Sequence, residues 1–395
     1  MMNKINCYTH KRMTLRIVSP TTVADSRVLS PQEYIYDNHS RMLYVLSDTQ
    51  WFCYLQKKGL LRDFENKCVQ PELIEIPLYE WLEEKLHRRG FDVESELGTA
   101  VKYKIPAESK PTIKNKKTGK KSLNKINLCM RLCDGRVYIP GSTIKGVIRT
   151  AILFKLLEEH DVLRQKWYRE IRECIRSYQK NKKQLEEELK SKLFNLEKQL
   201  VGTLNFGDHK ANDVLRDTMR GIRCSDAMPQ GTISTRVVQK IDFKLKEGAY
   251  NTLPIYKEMI EPGATFSFTI TLEPSMTKTI GIERVEDIIE CLLNWFEAVL
   301  APVYKCFGNH FTELFDNSDL ANCIIGGNTN FLYKTLYVAL ADEGKSRDLV
   351  KYILNTQFRT HAHLTDKLIS PRTLKGTSMN GTFYMTGEAE IQIEE

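Results

Sequence analysis

The first segment that can do chemistry is the turn between a β-like run and a helical pattern. The run ends at Pro140-Gly141, and Ser142 is a natural N-cap for the helix that follows. Backbone amides at such a helix start point outward, and the helix dipole favours an anion beside them. Lys145 and Arg149 are four residues apart and share one helix face. The combination suits a phosphate, although an ordinary capped helix with two solvated cations fits equally.

A second segment has the residue types of an anion site. It reads Ile324-Ile325-Gly326-Gly327-Asn328-Thr329-Asn330-Phe331. Glycine and asparagine tolerate positive φ, so the segment can form a concave nest of amides between a strand and a helix, with Lys334 one turn into that helix. A Walker A loop is excluded because the second glycine before Lys334-Thr335 is absent. Any tight strand-to-helix connection uses similar residues.

Histidine, cysteine and carboxylate spacing gives little support for a catalytic or metal centre. His361 and His363 are two residues apart, but no third ligand is suitably spaced. No Ser-His-Asp order and no pair of carboxylates stands out. The ten cysteines are scattered without a CxxC pair, which indicates free thiols in a reducing cytoplasm.

Length and charge set the outer limits. The 395 residues suffice for about two domains. A net charge of +8 fits a polyanionic partner such as nucleic acid, although a uniformly solvated surface has the same balance. No apolar run approaches the roughly 20 residues of a membrane helix, and no signal peptide is visible. We therefore expect a cytoplasmic protein without a membrane partner.

The elements that must position these residues are strands mixed with helices. We predict strands at residues 13–19, 33–36, 42–46, 231–239, 265–272, 323–325, 381–385 and 388–393, the last two as a hairpin. We predict helices at residues 51–89, 142–160, 162–200, 285–303 and 330–341, with a leucine stripe in the third that indicates an inserted helical hairpin. This order predicts an α+β fold.

Residues 102–125 differ in composition from the rest of the chain. They contain nine lysines, one glutamate, two prolines and few large apolar side chains. We predict a mobile basic loop, either a solvated linker or an arm that contacts RNA.

These segments resemble the RAMP superfamily of CRISPR-associated proteins. Residues 138–149 are similar to its pattern I-P-G-S-[ST]-[LI]-K-G-[AV]-[LI]-R, and residues 331–335 are similar to the F-L-S-K-T that follows its glycine-rich loop. Residues 369–375 and 19–37 resemble segments of the fifth Csm subunit of type III-A systems. The family pattern P-x-H-x-G is not kept: the corresponding stretch reads Pro20-Thr21-Thr22-Val23-Ala24, with Thr22 for the histidine and Ala24 for the glycine.

The resemblance implies a fold and a function. The fold is two fused ferredoxin-like (RRM-like) RAMP domains with helical insertions: residues 1–235, with insertions near 50–130 and 160–200, and residues 236–395, which hold the glycine-rich loop. The function is that of a non-catalytic RNA-binding subunit of a type III-A Csm effector complex, which caps the 3′ end of the crRNA and supports crRNA maturation and antiviral defence. The implied partners are crRNA, the other Csm subunits, chiefly the repeated backbone RAMP subunit, and host nucleases for 3′ trimming.

On this interpretation, the RNA-binding residues fall in three segments, and no catalytic residue, metal or cofactor is expected. They are Ser142, Lys145 and Arg149, then Gly326, Gly327, Asn328, Thr329, Asn330 and Lys334, and finally Arg372 and Lys375.

Two other functions remain open. A metal-independent RAMP endoribonuclease that processes precursor crRNA needs a general acid and a general base near the scissile 2′-hydroxyl, with Tyr36, His39, His361 and His363 as candidates. A protein-assembly cap has only incidental RNA contacts. If the purified protein alone cleaves precursor RNA, it is the endoribonuclease. If the complex assembles normally after the basic residues are neutralised, the protein is an assembly cap.

Overall fold

A computed structural model of the protein describes residues 8–114, 119–178, 181–204, 213–245 and 248–394. Its strands are β1 Thr9–Ile17, β2 Ala24–Leu29, β3 Tyr34–Asp37, β4 Met42–Leu46, β5 Val101–Pro106, β6 Thr112–Lys114, β7 Lys121–Leu123, β8 Ile126–Cys129, β9 Ile222–Cys224, β10 Met228–Pro229, β11 Thr235–Lys244, β12 Tyr250–Ile260, β13 Thr265–Leu272, β14 Cys323–Ile324, β15 Thr373–Met379, β16 Thr382–Met385 and β17 Glu388–Ile393. Its α-helices are α1 Asp48–Lys57, α2 Leu61–Val69, α3 Pro71–Ile74, α4 Leu78–Lys85, α5 Val93–Leu97, α6 Gly141–Glu159, α7 Asp161–Ser177, α8 Lys182–Val201, α9 Asp213–Arg216, α10 Pro274–Thr277, α11 Val285–Phe307 and α12 Glu343–Gln357. The predicted α+β fold class is confirmed.

The core sheet, as we call the first of two large sheets, runs in the order β10-β13-β1-β17-β14, with β9 also paired to β13. All of these pairs are antiparallel. Side chains of β1 alternate, so Met13, Leu15 and Ile17 are buried together. Phe268 and Phe266 of β13 lie opposite the first two. Burial of each such side chain stabilises the fold by about 1.5–3 kcal/mol.

Helices α6 and α11 pack against each other and share one hydrophobic core with this sheet. Ile144, Ile148 and Ile152 of α6 are fully buried, and the Phe154 ring lies 5.0 Å from the Trp295 ring of α11. The chain passes through β1, α6, β9, β13, α11 and β17 in turn, which is the β-α-β-β-α-β order of one ferredoxin-like unit.

The strands of this unit lie on both sides of residue 235, because β1 pairs with β13 on one edge and β17 on the other. The predicted domain boundary at residue 235 stays a prediction, as does a second ferredoxin-like unit.

The flank sheet, the second large sheet, runs in the order β16-β15-β11-β12-β8-β2. The fully buried Glu258 of β12 links three of its strands, β11, β12 and β8. This carboxylate accepts hydrogen bonds from the Thr235 hydroxyl at 2.7 Å and from the Cys129 amide at 2.9 Å. It also pairs with Arg131, whose guanidinium lies 4.4 Å from the centre of the Tyr103 ring.

The insertions are helical, as predicted. Between β4 and β5, helices α1 to α5 enclose a small core around Trp51, Phe64 and Trp81. Helices α7 and α8 form the predicted hairpin, and its leucine stripe is packed, with Leu189 and Leu196 buried. No helix within the described ranges combines the length and the apolar character needed to span a bilayer.

The predicted basic loop at 102–125 is wrong over much of its length. Strand β5 pairs with β4 and buries Ile105, while Lys102 and Lys104 on either side of Tyr103 stay exposed. Because side chains alternate between the two faces of a strand, the lysines can face solvent while Ile105 is buried. Strands β6 and β7 form a hairpin. Residues 115–118 lie outside the described residues.

The C-terminal segment also differs from prediction. The predicted helix at 330–341 is wrong, because two 3₁₀ turns, Phe331–Lys334 and Leu336–Ala339, are separated by Thr335 in an extended conformation at φ −138°. Helix α12 follows and was not predicted. The predicted closing hairpin is wrong because β16 pairs with β15, whereas β17 pairs with β1. Gly387, at φ 97°, turns the chain between the two sheets.

Candidate nucleic-acid interface

One cleft brings the helix start and the glycine-rich loop together. The loop cleft, as we call it, has a volume of about 390 Å³. Its lining residues are Val23, Ala24, Thr143, Gly146, Val147, Thr150, Trp295, Ile324, Gly326, Gly327, Tyr333 and Lys334. The two segments singled out in the sequence therefore meet at one surface. RNA binding by these residues stays a prediction.

The backbone of the glycine-rich loop is held by the segment before β2. Gly326 has a φ of 78°, and a Cβ at this position would lie 2.3 Å from the Thr22 carbonyl oxygen. The amide of Gly327 donates a hydrogen bond to the same oxygen at 2.7 Å. Asn328 has a φ of 65°, as expected for an asparagine that replaces glycine. The left-handed positions of the loop are therefore Gly326 and Asn328, and not Gly327.

Buried polar atoms are concentrated in the same loop. Asn328 Nδ2, Thr329 Oγ1 and both polar side-chain atoms of Asn330 lack a hydrogen-bond partner among the described residues. Asn330 is only 1% exposed. A buried polar group without a partner costs about 1–3 kcal/mol. A water molecule or a polar ligand that bonded to these atoms would remove that cost.

A strip of four lysines leads from the flank sheet to the loop cleft. The lysine strip consists of Lys375 of β15, Lys240 of β11, Lys257 of β12 and Lys334 after the loop. Burial lowers the pKa of Lys240, and the charges of Lys375 and Lys257 lower it further, against the opposing effect of Asp242. Burial and the charge of Lys257 lower the pKa of Lys334. Like charges held this close favour a polyanionic ligand.

The two lysines nearest the loop are not neutralised by a carboxylate. Lys375 donates to Asp242 at 2.8 Å, and Lys240 lies 3.9 Å from the same side chain. Lys257 and Lys334, by contrast, have no acidic partner in the part of the chain that the structure describes. The Lys257 ammonium would lie 3.7 Å from a Cβ at Gly327, which places it directly at the loop. Lys257 was not among the predicted RNA-binding residues, because no local motif marks it.

The helix start lacks the predicted cap. Helix α6 begins at Gly141, with Pro140 in the N-cap position at φ −59° and ψ 137°. A Cβ on Gly141 would lie 2.4 Å from the Cys224 carbonyl oxygen, so glycine is required at this position, which is one residue before the predicted helix start. The cap role of Ser142 is therefore wrong. The Gly141 amide donates to the Asp226 carboxylate at 2.7 Å, and that negative charge opposes an anion at the helix start.

The predicted cations of α6 lie away from the cleft. Arg149 is bound by two carboxylates, with Nε 3.0 Å from Glu197 and Nη1 2.9 Å from Asp217. Lys145 is half-buried beside Cys224, and burial lowers its pKa. The turn of the helix places both on a different face from the cleft-lining residues of α6. Their contact with RNA stays a prediction, and the ion pairs of Arg149 tie α6 to the α7–α8 hairpin.

Arg372 belongs to a cluster around the buried Asp366. Its Nη1 lies 3.1 Å from one oxygen of that carboxylate, and the buried His363 lies 2.9 Å from the other. His361 is exposed and stacks on Phe358 at 5.7 Å between ring centroids. Arg372 and His363 thus have partners within the fold and lie outside the loop cleft.

The other acid–base candidates lie elsewhere in the fold. Tyr36 is buried in β3, which raises the pKa of its hydroxyl, and His39 is exposed in the turn before β4. The four candidates therefore fall in two separate regions. Within the described ranges, no three histidine, cysteine or acidic side chains group as metal ligands.

The chain resembles known proteins over most of its length. The family model described as the RAMP superfamily matches residues 14–331. The chain is 24% identical to the CRISPR system Cms protein Csm5 of Mycobacterium tuberculosis, with 80% of each chain covered. It is 24% identical to the protein of the same name from Streptococcus thermophilus, with 99% of each chain covered.

Two solved structures share the fold. The first is a chain in the cryo-EM structure of a Csm–crRNA–target RNA ternary complex of a type III-A CRISPR–Cas system, with a TM-score of 0.62 at 19% identity, covering 97% of this chain and 100% of that one. The second is the crystal structure of T. onnurineus Csm5, with a TM-score of 0.55 at 17% identity, covering 95% and 99%.

Proposed function

Because the chain belongs to the RAMP superfamily, we propose that it is a non-catalytic crRNA-binding subunit of a type III-A Csm effector complex. The relatives named Csm5 and the similar chain in a Csm–crRNA–target RNA complex support a Csm subunit of a type III-A-like system, with crRNA and other Csm subunits as partners. Within that complex, the chain caps the 3′ end of the crRNA and contacts the repeated backbone subunit.

The lysine strip is the observation that carries this proposal. Its two members nearest the loop have no acidic partner in the described part of the chain, and burial lowers the pKa of Lys257. Phosphate groups would neutralise these charges and relieve their mutual repulsion. Lysine contacts with phosphates position RNA but do not read its bases. The strip therefore suits a guide whose sequence varies.

A capping role is favoured by where the strip ends. It leads into the loop cleft, whose volume of about 390 Å³ is in the range of pockets that enclose a small ligand. A terminal nucleotide fits such a volume, with Lys334 in the wall of the cleft and the Lys257 ammonium beside Gly327. Host nucleases that trim the exposed 3′ tail would stop at this protected end.

The proposal is tested with purified protein and labelled precursor crRNA. We expect retention of the RNA without cleavage, with or without divalent ions. Each phosphate neutralised on a single strand should contribute about −0.7 to the slope of log affinity against log salt. Cleavage products that disappear in His361→Ala or His39→Ala, two changes at exposed side chains, would instead support the endoribonuclease.

A further inference from the structure

Helices α7 and α12 form a second surface with nucleic-acid-binding chemistry. A cleft of about 140 Å³ lies between them. Its walls include Tyr168, Arg172 and Arg176 of α7, and Asp348 and Tyr352 of α12. None of these residues lines the loop cleft or belongs to the lysine strip, so the α7–α12 cleft is a separate surface.

The cleft has positive charge that the fold does not neutralise. Arg172 and Arg176 are one helical turn apart, and both are exposed. Neither forms an ion pair or a side-chain hydrogen bond with any described residue. The acidic side chain in the cleft wall, Asp348, already has the Lys351 ammonium 3.2 Å away. Both guanidinium groups are therefore available to an outside anion.

Aromatic rings continue the surface along α12. Tyr352 is 43% exposed and Phe358 is 45% exposed. The Phe358 ring stacks with His361, the two planes differing by 10°, and the Lys182 ammonium of α8 lies 5.4 Å from its centre. A single exposed ring is ordinary on a protein surface. Here the exposed rings lie next to two unpaired arginines on the same pair of helices. Proteins that bind single-stranded nucleic acid combine aromatic and cationic side chains in this way.

The size of the cleft limits what can enter it. At about 140 Å³ it is smaller than the roughly 300–1,000 Å³ pockets that enclose whole ligands. It suits one planar group inserted from a longer chain. Arginine binds phosphate in a fork and stacks on rings, and tyrosine stacks on bases of any sequence. An acidic peptide would use the guanidinium groups but not the exposed ring faces.

We propose that the α7–α12 cleft binds single-stranded RNA, with one base between its tyrosines, the flanking phosphates on Arg172 and Arg176, and a neighbouring base that displaces the Lys182 ammonium from the Phe358 ring. This site goes beyond the capping of the crRNA and works independently of the lysine strip. It gives the subunit a second RNA contact on its helical face.

The test compares charge-matched variants on a background in which the lysine strip is disabled by Lys257→Gln and Lys334→Gln. On that background, a double change of Arg172 and Arg176 to Gln should weaken binding of a labelled single-stranded RNA about tenfold. The slope of log affinity against log salt should become shallower by about 1.4, because each of the two lost phosphate contacts contributes about 0.7. The control, Lys57→Gln with Arg62→Gln, removes two exposed cations from the separate helical insertion and should leave binding unchanged.

Ring contacts and partner class are tested on the same proteins. Ultraviolet cross-linking should attach RNA to peptides that contain Tyr168, Tyr352 or Phe358, and Tyr352→Ala with Phe358→Ala should weaken RNA binding. Equal affinity in the arginine variant and its control, or adducts only near the lysine strip, overturns the proposal. Tighter binding of poly-glutamate than of RNA, insensitive to loss of the rings, also overturns it and identifies an acidic protein partner. The proposed capping function fails in a different experiment. If Lys257→Gln with Lys334→Gln does not weaken RNA binding, the lysine strip does not bind the RNA, whatever the α7–α12 cleft does.

Discussion

Neutralising the two unpaired lysines of the strip should weaken RNA binding without weakening the fold. The change is Lys257→Gln with Lys334→Gln. Lys257 is half-buried, so a phosphate contact there is worth about 1.5–3 kcal/mol. Much of the Lys334 side chain remains accessible to solvent, so its contact adds no more than about 1 kcal/mol. The sum corresponds to a loss of at least about tenfold in affinity.

Fluorescence anisotropy over a salt series measures this loss. With two phosphate contacts removed, the slope of log affinity against log salt should become shallower by about 1.4. Melting temperature should stay level or rise, because burial and mutual repulsion disfavour the charged forms, as their lowered pKa values indicate. The control is again Lys57→Gln with Arg62→Gln. An unchanged slope, or an equal loss in the control, would refute the reasoning.

Three further changes test the parts of the fold that hold the site. Glu258→Ala should lower the unfolding free energy by about 3–5 kcal/mol in urea denaturation, because the partly buried Arg131 loses its partner; a loss below about 1 kcal/mol would contradict this. Burial raises the pKa of Glu388 to about 7, so ionisation destabilises the folded state increasingly as pH rises from 4.5 through 7. Glu388→Gln should therefore stabilise the protein little at pH 5 and by up to about 3 kcal/mol at pH 8, and equal effects at both pH values would disprove it. Gly326→Ala should displace the loop and weaken RNA binding, because the residue is left-handed and a Cβ would meet a carbonyl oxygen at 2.3 Å. Gly327→Ala has its nearest neighbours at 3.7 Å and serves as the control; identical RNA affinity in both variants would count against the loop.

Several elements could be predicted because a local pattern in the sequence is enough to specify them. Alternation identified β1, and the Pro-Gly turn identified the start of α6 to within one residue. Glycine and asparagine were expected to tolerate left-handed positions in the loop; Gly326 and Asn328 take them, whereas Asn330 has a φ of −67°. The helix start and the glycine-rich loop meet at one cleft, although two 3₁₀ turns follow the loop where a helix was predicted.

The remaining features depend on contacts between segments that are distant in the sequence. Lys257 reaches the loop only because β12 lies in the flank sheet, and its own neighbourhood contains no motif. Arg149 looked like a free cation because Glu197 and Asp217 come from α8 and from the segment after it. Residues 102–125 looked disordered by composition, although alternation within β5 was enough to bury Ile105.

Site-specific cross-linking tests most directly whether this protein holds the 3′ end of the guide. A reconstituted Csm complex would contain crRNA with one photoreactive uridine, placed either at the 3′ end or in the 5′ portion. We expect the 3′ probe to label peptides that contain Lys257 or residues 326–334, and the 5′ probe to leave them unlabelled. Labelling of these peptides by the 5′ probe alone, or by neither probe, would contradict the capping role.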